Sequence, residues 1–334
     1  MRQRLFALVL AVAACGGKQK HVDTVPLPPE PKPTEEAKKP PEPEKPAEPA
    51  KPPVPTGPIE LTLTAAKPTV KLVSPGKGKK TALKIVPKAG TKQQTEIALD
   101  FMGGQDGPPE AGGKQDQIAP TVVLAADVET KEVGTDGQSK FQMTISGIDA
   151  KDVPGAKVPA DQFKQELTSL AGATINGSVG ANGSTSDLTL RVEKPDAKSA
   201  EALALVKTVL LPMWPVLPDE AIAPGAKWTV TTTEKIADQL EVTKTVNYEL
   251  VAKKGTAWTI KGTAKMTGTD QDLQGAKIGS IGGGGTTEST VNEGSLLPST
   301  KQKLATDFTI TAGDPAKPVQ VKFHIEQGNA VTVK

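Results

Sequence analysis

Apolar residues recur at every second position along most of this chain beyond about residue 58. The alternation runs through Ile59, Leu61 and Leu63, then Ile97, Leu99 and Phe101, then Val122, Leu124, Ala126 and Val128. It returns at Phe141, Met143 and Ile145, at Leu188, Leu190 and Val192, and at Trp228 and Val230. Further on it marks Leu240 and Val242, then Val246, Tyr248 and Leu250, then Trp258 and Ile260. Phe308 and Ile310, Val319 to Ile325, and Val331 and Val333 complete it. Successive strand side chains point to opposite faces. Period two, broken by Gly, Asp, Asn and Pro, therefore predicts antiparallel strands with one buried face. Ala181-Asn182-Gly183 predicts a hairpin turn between strands at Thr174–Gly180 and Thr185–Glu193, and Asn292-Glu293-Gly294 predicts a similar one.

Two segments have helical spacing instead. In Ala160–Leu170, Phe163, Leu167 and Leu170 fall at i, i+4 and i+7, with Asp161 as the start signal. Asp196–Leu211 opens on Pro195-Asp196, carries Ala200, Leu203, Ala204, Val206 and Leu210, and stops at Pro212. Its wide apolar side predicts a buried helix capping a sheet. The fold class is thus mainly β with a few helices, arranged as an antiparallel curved sheet or as two packed sheets. Thr174–Val179 before Gly183-Ser184 is echoed by Thr287–Val291 before Gly294-Ser295. The echo raises a division into two related halves, about 58–195 and 196–334.

The N-terminus follows a different pattern. Arg2 and Arg4 precede an apolar run from Leu5, which ends in Val12-Ala13-Ala14-Cys15. Charged, apolar and small-residue parts in that order make residues 1–14 a secretory signal. The run is well short of the ~18–20 residues that span a bilayer. The ending resembles a lipobox, the processing site of bacterial lipoproteins. That resemblance implies cleavage between Ala14 and Cys15, and lipid on the Cys15 thiol and its new amino group. The other readings of Cys15 are a buried structural thiol and an ordinary secretory signal with a stray cysteine. Gly16 in place of Asp leans toward the outer membrane. Residues 15–57 then form a tether, and Val25–Pro58 holds close to half of the chain's prolines among Glu and Lys. Proline removes backbone donors and the segment has little apolar surface to bury, so disorder with polyproline II bias is expected. Thirty such residues reach roughly 90–100 Å at ~3.1 Å each.

Composition narrows the function of residues 58–334. The whole chain's net charge is only +2, and with no basic block beyond the signal this implies no nucleic-acid partner. Cys15 is the only cysteine, so no disulfide forms within the chain. Of the two histidines, His21 lies in the tether region, and His324 sits between Phe323 and Ile325, on the outward face of a strand. Zinc lacks ligands, and neither a Ser-His-Asp nor a Cys-His set can be assembled. Gly279–Gly285 is glycine-rich without the Gly-Lys-Ser/Thr of a phosphate loop, and reads as a flexible loop between strands. Asp270–Gly275 begins like a calcium loop. Position twelve is Ile281, however, so a polar turn is the better account. No catalytic residue, metal or cofactor is expected.

Leu217–Trp228, which reads LPDEAIAPGAKW, resembles the Leu-Pro…Gly…Trp segment of a family of uncharacterised bacterial envelope lipoproteins. Gly285–Leu297 is similar to that family's strand–Gly–strand segment, and Leu170-Ala171-Gly172 also fits. The likeness covers about the second half of the chain and implies architecture and location but no reaction. From the residues, Pro224-Gly225 makes a turn and Trp228 anchors a core. The expectation is a non-enzymatic, membrane-anchored envelope protein with a structural or interaction role, partnered by the membrane and by an envelope protein or the cell wall. The alternative is a carrier that encloses a lipophilic ligand in a curved sheet. An apolar cavity under the second helix favours the carrier, and a solid core the first reading.

Overall fold

The computed structural model describes residues 57–334 except 197, 211–212, 237–239, 274–275 and 315. The signal, Cys15, His21 and nearly all of the tether lie outside the described residues. The chain begins with β1 (Ile59–Leu63), β2 (Thr69–Ser74), β3 (Lys92–Asp106), β4 (Gln115–Ile118), β5 (Thr121–Val133) and β6 (Ser139–Lys151). Helix α1 (Ala160–Leu167) precedes β7 (Thr174–Val179) and β8 (Leu188–Val192), and α2 (Ser199–Leu210) follows. The second half comprises β9 (Lys227–Ile236), β10 (Leu240–Lys254), β11 (Ala257–Thr267), β12 (Gln271–Leu273), β13 (Ala276–Asn292), β14 (Ser299–Asp314) and β15 (Lys317–Val333).

All fifteen strands belong to one sheet, ordered β1-β8-β7-β6-β5-β3-β15-β14-β13-β11-β10-β9-β2, with β4 alongside β3 and β12 alongside β13. The expectation of a mainly β, antiparallel fold holds, in its single-sheet form. Its edges, β1 and β2, are joined by residues 64–68 alone. Six Cα steps reach at most about 20 Å, whereas thirteen flat strands at ~4.8 Å would separate the edges by roughly 58 Å. The sheet therefore curls until its edges face each other across a gap, without closing.

Beneath α2 the inner face is filled. Leu63, Val122, Leu124, Met143, Trp228 and Trp258 are at most 2 % exposed and share one cluster with Ala202, Leu203, Val206 and Leu210 of α2. The helix begins at Ser199, three residues later than the sequence suggests, and Asp196 caps the turn that leads into it. The Asp196 Oδ1 accepts from the Lys198 N–H and the Ser199 hydroxyl, and its own N–H donates to Ser199 Oγ at 2.7 Å. This is a reciprocal cap. Desolvation alone would raise the Asp196 carboxyl, but the bonds from Ser199 and Lys198 hold it below its ordinary value. At α1 the start signal differs from expectation. Asp161 is exposed, and Asp152 from the preceding loop accepts the Ala160 N–H at 2.9 Å.

One end of the curled sheet is closed by the segments before β3, after β7, around Trp214 and after β13. Trp214 Nε1 donates to Leu296 O, and Trp228 Nε1 to Val216 O, both at 2.8 Å. Gly183 sits in the predicted β7–β8 turn at φ 80°. The Asn292–Gly294 turn forms too, but it opens a longer connection in which Leu296 and Leu297 enter the core. The other end belongs to the long strands. β14 and β15 run 16 and 17 residues, against 6 and 5 for β7 and β8. Beyond the main core, β10, β11, β13, β14 and β15 together carry a second cluster of Leu240, Val242, Met266, Ile278, Phe308 and Phe323.

The glycine run corrects the sequence reading. Gly279–Gly285 is no loop between strands but the middle of β13, the partner of both β11 and β14. The register slips between Gly279 and Gly282, where β13 bulges. A Cβ on Gly285 would lie 1.9 Å from Lys303 O, and one on Gly283, at φ 143°, 2.1 Å from Ala305 O. The strands approach too closely there for any side chain, which lets β13 bend with the sheet.

Candidate functional site

At the open end, β3 runs on past β5 and pairs with β4 on one side and β15 on the other. The outer surface there forms a groove of about 550 Å³, lined by Met102, Gly104, Asp116, Ser280, Asp307 and His324 among others. His324 lies directly across from Asp307 on β14 and two residues before Glu326 on its own strand, so all three side chains share the outward face. This is the outward placement that the sequence predicted. Nδ1 is 2.6 Å from Asp307 Oδ1 and Nε2 is 2.9 Å from Glu326 Oε1.

A neutral imidazole has one N–H and serves one carboxylate. Two carboxylate partners call for the doubly protonated ring. The hydrogen bond to Asp307, then that to Glu326, accordingly raises the His324 pKa above its ordinary value. While it holds both protons the ring has no lone pair for general-base work or for a metal. Ser280, on the β13 bulge, takes φ 53°, a left-handed conformation that costs a non-glycine residue ~1–2 kcal/mol. Among the described residues its hydroxyl makes no hydrogen bond to His324, so these two form no nucleophile–base pair. Lys114 and Lys322 face Asp106 and Asp116 around it, without one dominant charge.

The remaining sequence candidates stay apart. Among the described residues, no three His, Cys, Asp or Glu side chains gather where a metal ion could be held. In the calcium-like stretch, Gln271–Leu273 pairs with Ala276–Ile278 as a hairpin. Ile281, at position twelve, is 7 % exposed within the second apolar cluster. Trp228 is fully buried, stacks on Tyr248 with centroids 5.5 Å apart, and follows the Gly225 turn at φ 82°. It is the anchor expected.

Sequence reading missed a polar row on the inner face. Cross-strand registers align Tyr248, Gly262, Thr287, Gln302 and Asn329 in one line over β10, β11, β13, β14 and β15. Thr287, Gln302 and Asn329 are 8–9 % exposed. The Asn329 Nδ2 donates to Gln302 Oε1 at 3.3 Å, and the Asn329 Oδ1 is buried without a donor. Polar residues at inward positions break the apolar alternation, and so hide both the row and the true strand lengths. The signal that was available is the placement of Gln302 and Asn329 in phase with Phe308 and Val331. Comparison of the chain with models of known protein families yields no match, and no curated protein matches it.

Proposed function

We propose that the protein is a membrane-anchored lipoprotein of the bacterial envelope, at the outer rather than the inner membrane. Lipid on Cys15 holds it, residues 15–57 space it from the surface, and its β-rich domain has a non-catalytic structural or interaction role. The Val12-Ala13-Ala14-Cys15 ending, the proline-rich stretch and the resemblance of Leu217–Trp228 to uncharacterised envelope lipoproteins support anchoring and place. The observation that favours this role over a carrier is the packed core beneath α2. The face of α2 that would roof a carrier's cavity is packed, through Leu203, Val206 and Leu210, into the same cluster as Trp214, Trp228 and Trp258. On the outer face, the single described histidine is engaged at both nitrogens.

The test follows an alkyne-labelled fatty acid fed to the native cells. Wild type is expected to take up the label and to partition into detergent. Cys15→Ala is expected to lose the label and remain an unprocessed precursor. Equal labelling of the variant would refute the anchor. Crosslinking of intact cells is expected to join the wild-type domain to an envelope protein or to cell-wall material.

A further inference from the structure

The geometry points to a binding recess on the inner face of β10 to β15 and β3, shaped for an uncharged amphiphile that carries a hydroxyl or amide N–H. Its floor is the row of Tyr248, Thr287, Gln302 and Asn329. Its mouth is the next row toward the open end, where Leu304 pairs with Gln327 and Gln327 with Phe101. These three are half-buried, although they lie between two clusters whose members are nearly all sealed from solvent. The opening has a cause in strand length. β7 and β8 are too short to cover this height of the long strands.

Three features select the ligand. First, Asn329 Oδ1 is buried without a donor, so the group that completes it brings an N–H or O–H; leaving such an acceptor unpaired costs ~1–3 kcal/mol. Second, Tyr248 retains accessible surface, yet burial pushes its hydroxyl well above its ordinary pKa. The phenol therefore stays neutral and can donate or accept a hydrogen bond. Third, the charged pair on this face is satisfied internally. Lys244 Nζ lies 2.9 Å from each carboxylate oxygen of Glu234, which leaves no net charge to attract an ion. Phe101 and Leu304 supply an apolar contact beside the amides. Such a site goes beyond the anchoring proposal and does not depend on it.

Tyr248 is the only tyrosine of the chain, so tyrosine-labelled protein reports this place alone. The experiment titrates full chain carrying Cys15→Ala, which has no lipid of its own, with monolaurin, laurate and glycerol. The Tyr248 ring resonances are expected to shift saturably with monolaurin. Laurate, whose carboxylate faces the orphan carbonyl, is expected to bind about tenfold more weakly, and glycerol not at all. Leu304→Trp fills the mouth and is expected to abolish the shift; Gln327→Trp, on the adjoining strand, does the same should the first variant fail to fold. An unmoved tyrosine signal, equal binding of laurate, a shift with glycerol alone, or a shift that survives a folded mouth-filling variant would each overturn the assignment.

Discussion

His324 shows how one side chain's chemistry is set by its neighbours. Asp307 and Glu326 each hydrogen-bond its ring and raise its pKa, and the groups around that trio are Lys322 on the same strand, Asp116 on β4 and the small Gly104 on β3. Because the folded pKa is raised, the stabilisation is fully present below the unfolded value of ~6.5. It is lost as pH rises through the folded pKa. The trio is more than a third exposed, so solvent screens it and the effect on stability is small. By NMR, the His324 imidazole is expected to titrate above an ordinary histidine, and Asp307→Asn to lower that midpoint. A wild-type His324 titrating at the ordinary value would show that the carboxylates do not clasp it in solution.

Among the elements, β13 depends most on residue type. A strand seventeen residues long that follows a tightly coiled sheet needs positions without side chains where it crosses β14. Gly285→Ala would set a methyl against Lys303 O and is expected to destabilise by roughly 1–3 kcal/mol or more. Gly282, three residues away, has open space where its Cβ would be. Gly282→Ala is expected to change stability by less than about 0.5 kcal/mol. Chemical denaturation of both variants checks the pair, and equal effects would mean that glycine serves flexibility here rather than close approach. Helix α2 was legible from sequence because both its signals are local: a capping Asp196 and an apolar face. The start of α1 was not, since its cap, Asp152, comes from a loop eight residues upstream.

For the molecule as a whole, residues 64–68 are the decisive segment, because they bind the two sheet edges to one another. The first described strand is thus part of the closure of the core, while the proline-rich stretch before it has little apolar surface to add. Removing residues 18–56 is expected to leave the melting temperature unchanged and to remove the protease-sensitive region. Removing β1 as well is expected to lower the melting temperature by several degrees, because Leu63 is 1 % exposed in the main cluster. Calorimetry of the two truncations separates them. A drop on deleting the tether alone would show that it packs on the domain.

What the sequence determined by itself is what local physics encodes. Alternation at Val122–Val128 or Phe141–Ile145 sets strand faces, Gly183 and Gly225 set turns, and the Leu203–Leu210 face sets a buried helix. Each rests on residues within a few positions of one another. Tertiary structure alone decided that a single sheet curls on itself, since that follows from which strands the ends of a five-residue link join. It also decided that the glycine run lies inside a strand, that Gln302 and Asn329 meet across β14 and β15, and that His324 finds Asp307. These pairings join positions 17 to 27 residues apart or more, where contact depends on register rather than on any neighbouring residue's preference.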